Sequence, residues 1–173
     1  MYFYKILQDW GNYPLIDTTD PEILFGTKRD IINLPVNVLS LPVVNGINAL
    51  GLTVKEVQIF VSPPGLKMAL HTDGDSIDNG LYAINWIIGK SKTWVMEWFS
   101  LINKTDTLSY NKIDRKFIEY TEDECKLEYS KYWNGPAIVN ISAPHRIINV
   151  SAQCRICVSI RLNEANFLSK FAQ

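Results

Sequence analysis

The sequence contains only two histidines, His71 and His145, and the first stands two residues from a carboxylate with which it could share a metal. His71-Thr72-Asp73 sets an imidazole and a carboxylate two positions apart. On an extended chain residues i and i+2 project from the same face, so both side chains can address one point in space. The turn signal Asp73-Gly74-Asp75 places the pair where a strand gives way to a turn, a location suited to the mouth of a barrel. His145 lies far downstream, in Ala143-Pro144-His145-Arg146, a short connection ahead of another strand. Two imidazoles and one carboxylate with three positions left open form the facial arrangement with which non-haem Fe(II) activates oxygen. The same trio with one open position also suits Zn²⁺. A His-x-Asp pair by itself is common, so the discrimination falls to the residues that follow.

Arg155, ten residues after His145, carries that discrimination. In Arg155-Ile-Cys-Val-Ser-Ile-Arg-Leu162 strict alternation puts Arg155, Cys157, Ser159 and Arg161 on one face and Ile156, Val158, Ile160 and Leu162 on the other. An outer, solvated face accommodates arginines equally well. Beside a metal, however, an inward guanidinium is suited to grip a dicarboxylate through paired hydrogen bonds. Burying it without a partner costs several kcal/mol, so an inward arginine calls for an anion.

The elements that must position these residues are mostly strands. The first 38 residues mix short apolar runs with Gly, Pro, Asn and Asp, as strands and turns do. One helix is well marked: Ser40 as N-cap, Pro42 in the first turn, Leu39 and Val44 as a hydrophobic staple, and Gly51 closing the C-terminus. Val43, Val44, Ile47 and Leu50 share one face of it, and Gly46 inside it costs about 1 kcal/mol relative to alanine. Val54–Val61 then alternates, with Val57, Ile59 and Val61 on one side, and Ser62-Pro-Pro-Gly65 ends it. Further strands are expected at Lys67–His71, Leu81–Ile88, Thr93–Phe99, Pro136–Ile141 and Arg155–Leu162, which together point to a sandwich or barrel. Lys112–Lys131 holds 11 charged residues in 20 and reads as an exposed hairpin around Thr121-Glu-Asp-Glu124, a solvated excursion or a lid over 100–135.

Composition bounds the answer. With 173 residues, 47% apolar and 20% charged, the chain reads as a single globular domain (1–173, core about 54–162) able to bury about 70% of its unfolded surface. A net charge of −1 excludes a strongly basic nucleic-acid clamp, leaving only a local patch. No apolar run approaches the roughly 20 residues of a membrane span, and the opening residues lack the pattern of a signal peptide. Three cysteines (Cys125, Cys154, Cys157) have no zinc-like spacing, and a reducing cytoplasm is expected. The Asn-x-Ser/Thr triplets at Asn103, Asn140 and Asn149 are then coincidental. Trp86, Trp94 and Trp98 read as packing, because base-stacking platforms come with a basic groove. Arg146 and Arg161 read equally as substrate contacts or as structural residues.

His71-Thr-Asp-Gly74, Ala83-Ile-Asn-Trp-Ile-Ile88, Val95-Met-Glu-Trp-Phe99, Pro144-His-Arg-Ile-Ile-Asn-Val-Ser151 and Arg155-Ile-Cys-Val-Ser-Ile-Arg161, in this order, resemble the iron(II)/2-oxoglutarate-dependent dioxygenase superfamily. The likeness is to small single-domain members, over residues 57 to 162. It implies a mainly β fold with a few helices, the cupin-like double-stranded β-helix or jelly roll. It further implies Fe(II) on His71, Asp73 and His145, with 2-oxoglutarate as cosubstrate chelating the iron and seated on Arg155, and dioxygen as oxidant. The reaction implied releases succinate and CO₂ and hydroxylates or demethylates a small molecule or peptide side chain. Related halogenases lack the carboxylate of Asp73, so hydroxylation is favoured. Where many members carry Ser or Thr two residues after the arginine, this chain has Cys157, a weak hydrogen-bond donor. Ser159, Asn85 and Tyr82 are the candidates to compensate, Asn85 by its alternation with Ala83 and Ile87. Two other classes stay open: a metal-binding cupin-like protein without oxygenase activity, and a zinc hydrolase or isomerase.

Overall fold

The computed structural model describes residues 4–7, 10, 15, 30–74, 81–88, 91, 93–102, 107–110 and 116–163. Twelve strands follow in order: β1 (Tyr4–Ile6), β2 (Asp30–Leu34), β3 (Val54–Ser62), β4 (Leu70–Asp73), β5 (Tyr82–Ile87), β6 (Trp94–Leu101), β7 (Thr107–Tyr110), β8 (Lys116–Tyr120), β9 (Cys125–Lys131), β10 (Pro136–Asn140), β11 (His145–Asn149) and β12 (Arg155–Leu162). One α-helix, α1 (Leu41–Ala49), separates β2 from β3. No helix among the described residues is long and apolar enough to cross a membrane.

The strands form two six-stranded antiparallel sheets, in the orders β1-β10-β5-β12-β3-β2 and β7-β8-β4-β11-β6-β9. Within them β10-β5-β12-β3 faces β4-β11-β6-β9. From β3 to β6 and again from β9 to β12 successive strands alternate between the sheets, so the path winds as a double-stranded β-helix. The expected jelly roll is therefore present, with β1, β2, β7 and β8 added at its edges.

Three apolar clusters follow from the period-two alternation of the strands. Ile156, Val158, Ile160 and Leu162 of β12 join Val57, Ile59 and Val61 of β3 and Val43 and Ile47 of α1 on the outer side of the first sheet. Between the sheets, Trp94, Met96 and Trp98 of β6 pack with Trp133, Val139 and Ile147 and fill one end of the sandwich. A smaller cluster of Leu70, Phe99, Ile118, Tyr120 and Cys125 covers the far side of the second sheet.

The helix begins and ends at the positions its sequence signals mark. Ser40 is the N-cap position, although its hydroxyl is buried without a hydrogen-bond partner, and Pro42 lies in the first turn. Gly51 turns the chain away at φ +70°. Gly46 has a specific role: a Cβ there would stand 2.6 Å from the Trp10 ring. Burying Val43 and Ile47 contributes about 2 kcal/mol each, which outweighs the glycine's intrinsic cost of about 1 kcal/mol.

Three local expectations are corrected. The strand placed at Lys67–His71 starts later, at Leu70, because Pro63, Pro64 and Gly65 (φ +72°) carry the chain round a wide corner; Lys67 makes only an isolated bridge to Ile148. His145 does not precede a strand at a distance but opens one, β11, whose five residues are hidden in the sequence by Pro144 and Asn149 at its ends. The segment around Thr121–Glu124 is not a hairpin. A tight turn closed by Thr121 and Glu124 connects β8 and β9, but β8 pairs with β4 and β7 while β9 pairs with β6, at opposite ends of one sheet. Residues 103–106 and 111–115 of the proposed lid, and the 75–80 loop, lie outside the described residues.

Asn140 and Asn149 account for two of the Asn-x-Ser triplets. Both are buried, and each side-chain oxygen accepts from the backbone N–H two residues on, at Ser142 (2.9 Å) and Ser151 (3.2 Å). These Asx-turns shape the connections on either side of β11. Asn149 also donates to the carbonyls of Ser62, Pro63 and Gln153 at 2.9–3.1 Å and accepts from the Ser91 hydroxyl at 3.0 Å. Asn149→Ala leaves several of these groups buried without partners, and is expected to lower the unfolding free energy by about 3 kcal/mol in urea denaturation.

Candidate metal centre

The two histidines meet because β4 and β11 are neighbours. His145 is the residue directly opposite His71 in the antiparallel ladder, and their ring centroids lie 4.6 Å apart. Asp73, two residues along β4, shares the inward face, with Oδ1 3.5 Å from Nε2 of His71. One ligand atom from each of the three lies within 4.8 Å of the others, a span that a single ion can bridge. The orientation of the rings is fixed from behind. Nδ1 of His71 is 2.8 Å from the carbonyl of Ala69, and Nδ1 of His145 is 2.9 Å from that of Ala143. A carbonyl only accepts, so each Nδ1 carries the proton and each Nε2 keeps a free lone pair, the arrangement of a metal-ligating histidine.

The backbone behind this trio is tightly held. Asp73 N–H donates to Ile141 O (2.8 Å), Phe99 N–H to Pro144 O (2.8 Å), and the Trp98 indole N–H to Asn140 O (3.0 Å). The turn that delivers His145 is thus tied to β4 and β6 at once.

Electrostatics favour the ligand forms. Burial opposes ionisation of Asp73, but the Arg161 guanidinium, hydrogen-bonded to its carboxylate, and the nearby His71 and His145 hold its pKa at about 2. Burial, reinforced by His71, pushes His145 down to about 4, so its imidazole is neutral at pH 7. A deprotonated carboxylate and a neutral imidazole are the forms a cation binds.

A cleft of about 440 Å³ runs from this trio between the sheets. Its lining includes Asn85, Arg155, Cys157, Ser159 and Arg161, with Met96, Ile141 and Ile147 as apolar wall. Arg155 is 2% exposed, its guanidinium 4.5 Å from the centre of the Trp94 ring. Nε and Nη2 of Arg155 have no hydrogen-bond partner, and neither has Oδ1 of Asn85. Burial lowers the pKa of Arg155, yet an arginine stays charged at neutral pH. Burial also raises the pKa of Cys157, which keeps a neutral thiol beside the guanidinium.

The alternation expected for β12 is observed, with Arg155, Cys157, Ser159 and Arg161 all facing the cleft. Asn85 faces it too. Tyr82 does not: three positions away on β5 it takes the opposite parity and lies in the core under α1, so it cannot reach the cleft. Arg146 points away from the cleft, paired with Glu97 (2.6 Å) and Glu122 (2.7 Å) on the far side of the second sheet. Arg161, for which sequence offered two equal readings, is the partner of Asp73 and also reaches Gln58 at 3.3 Å. Its same-face spacing with Arg155 was the available signal. The contributions of Asn140 and Asn149 were missed, since buried Asx-turns and glycosylation triplets are identical as text.

No protein family and no curated protein matches this sequence. Among solved structures the chain is similar, over 63% of its length, to CapF with the inhibitor 3-isopropenyl-tropolone, at 16% identity and a TM-score of 0.33. It is similar over the same share to the capsular polysaccharide assembling protein CapF from Staphylococcus aureus, at 16% identity and a TM-score of 0.32. It spans 24% and 22% of those two chains. Peruvianin-I, a cysteine peptidase from Thevetia peruviana latex, is similar at 15% identity and a TM-score of 0.40, over 93% of this chain and 76% of that one. The jelly-roll assignment rests on the strand order itself.

The His145 environment sets a pH dependence. On unfolding its pKa returns to about 6.5, so between pH 6.5 and 4 the unfolded chain binds a proton that the native state does not. Stability of the metal-free protein is expected to fall as pH is lowered through that window. His145→Gln should flatten this part of the curve, as measured by urea denaturation in the presence of a chelator.

Proposed function

We propose that the chain is an Fe(II)- and 2-oxoglutarate-dependent dioxygenase that hydroxylates or demethylates a small molecule or peptide side chain. The observation that carries this reading is Arg155, a buried guanidinium with two unpartnered nitrogens in the same cleft as His71, Asp73 and His145. A metal-binding jelly roll without oxygenase activity, or a zinc hydrolase, would leave that charge without a purpose. A dicarboxylate that chelates the metal at one end resolves it at the other.

Fe(II), when bound, supplies the redox chemistry by which dioxygen converts 2-oxoglutarate to succinate and CO₂ and oxidises a substrate C–H bond. Nε2 of His71, Nε2 of His145 and a carboxylate oxygen of Asp73 would hold it. Arg161 keeps Asp73 ionised and fixes its second oxygen, so the carboxylate enters the site in one orientation. A carboxylate at this position occupies the place that a halide would need, which favours hydroxylation. Arg155 would receive the distal carboxylate of 2-oxoglutarate through its two free nitrogens. Ser159 and Asn85 stand beside it as further polar groups, and the thiol of Cys157 replaces a hydroxyl without adding charge. Met96, Ile141 and Ile147 exclude water along the wall, which strengthens the guanidinium–carboxylate pair.

Anaerobic addition of Fe(II) and 2-oxoglutarate is expected to produce a weak visible charge-transfer band, lost in Asp73→Ala and in Arg155→Ala. Absence of the band in folded, metal-loaded wild-type protein overturns the reading. A second outcome separates Arg155 from an ordinary structural residue. Because the guanidinium is buried without an anion, Arg155→Met should stabilise the ligand-free protein by about 1–3 kcal/mol while abolishing the rise in melting temperature that 2-oxoglutarate confers on the wild type.

A further inference from the structure

Beside the metal centre a second groove, about 460 Å³, has Phe60, Met68, His71, Asp73 and Arg161 in common with the first but is not lined by Arg155. Its walls are apolar: the rings of Phe60 and Phe117, with Ile31 and Met68, all half-buried. Phe117 meets the ring of His71 edge to face at 5.7 Å. One further charged side chain lines it. Glu119 on β8 is the residue directly opposite His71 on β4, two positions from Phe117, and it projects from the same face. Among the described residues its carboxylate has no ion-pair or hydrogen-bond partner.

The charges around this groove decide what it accepts. Asp73 and Arg161 neutralise each other in direct contact. In the function proposed above, on which this inference rests, the dicarboxylate meets the metal with one end and Arg155 with the other. Among the described residues Glu119 is then the charged side chain of the groove without a partner, on the same strand face as the Phe117 ring, which attracts cations, whereas the Phe60 ring already has the Arg161 guanidinium 5.7 Å from its centre. In the ligand-free protein the first cleft and the second thus carry opposite unpaired charges, Arg155 in one and Glu119 in the other, with the ligand trio between them.

We propose that the groove binds the substrate and that the substrate is an organic cation on an aliphatic stem, an alkylammonium or alkylguanidinium. The charged head is held by Glu119 beside the ring of Phe117. The carbon chain extends from it across His71 and Asp73, which brings C–H bonds rather than the head group to the metal. Carboxylates are excluded by Glu119, and neutral alcohols lack the charge that the site is built to meet.

The test uses the full chain loaded with Mn(II) and 2-oxoglutarate, and four probes with the same stem: butylammonium, butylguanidinium, butanol and butanoate. The readout is paramagnetic relaxation of each probe's methylene protons. Both cations are expected to relax at least fivefold faster than the alcohol and the carboxylate, and the larger of the two effects names the head group. Glu119→Gln should reduce the cations to the level of butanol, and Glu119→Lys should reverse the preference toward butanoate. Equal relaxation of all four probes, or an unchanged preference in Glu119→Gln, overturns the assignment. Solvent-water relaxation and 2-oxoglutarate binding are measured in the same samples. If either shows no loading, the oxygenase reading falls and this one with it; if both are normal and no cation preference is seen, only the groove assignment falls.

Discussion

A guanidinium held at 2% exposure without an anion is an expense that a folded chain does not normally carry. Arg155 is placed there by a strand whose other face is bound into the main core through Ile156, Val158, Ile160 and Leu162. Sliding β12 by one residue to release the charge would push those four side chains out of the core, at roughly 2 kcal/mol each. The strand therefore stays, and the charge stays with it, softened only by the face of Trp94 and the neighbouring thiol. The unmet hydrogen-bonding capacity is what suits the cleft to an anion.

The end of the cleft that could hold a metal ion follows the opposite strategy, in which the groups behind the ligand atoms already have their partners. Each imidazole donates Nδ1–H to a carbonyl two residues back, Asp73 is fixed by Arg161, and the 140–144 turn is anchored to β4 and β6. A metal arriving at this end has little to reorganise. In the proposed function, rigid ligands and one unsatisfied counter-charge would divide the tasks of holding an ion and selecting what accompanies it. Beyond the ligands, the groove of Phe60, Phe117 and Glu119 adds a third, differently charged compartment within reach of the same three side chains.

Much of this was legible in the text of the chain, and for a specific reason. Period-two alternation is local, so the inward set Arg155, Cys157, Ser159, Arg161 and the parity of Asn85 could be read without knowing any partner strand. The same rule already set Tyr82 apart from Asn85, since three positions reverse the face. Helix α1 was equally readable, because its caps, its staple and its apolar stripe all lie within about a dozen residues.

What local reading could not supply was pairing. Whether β8 and β9 form a hairpin or flank opposite ends of a sheet depends on β4, β11 and β6 coming between them, and no nearby residue encodes that. The identity of Arg161 as the partner of Asp73 crosses 88 positions of sequence and two sheets. Asn140 and Asn149 look like surface acceptors until the turns close over them. The residue types and their faces were thus determined by the sequence itself, through backbone geometry that acts over two to four positions. Only the tertiary structure decided which faces meet, because antiparallel pairing and burial are settled by the whole core at once.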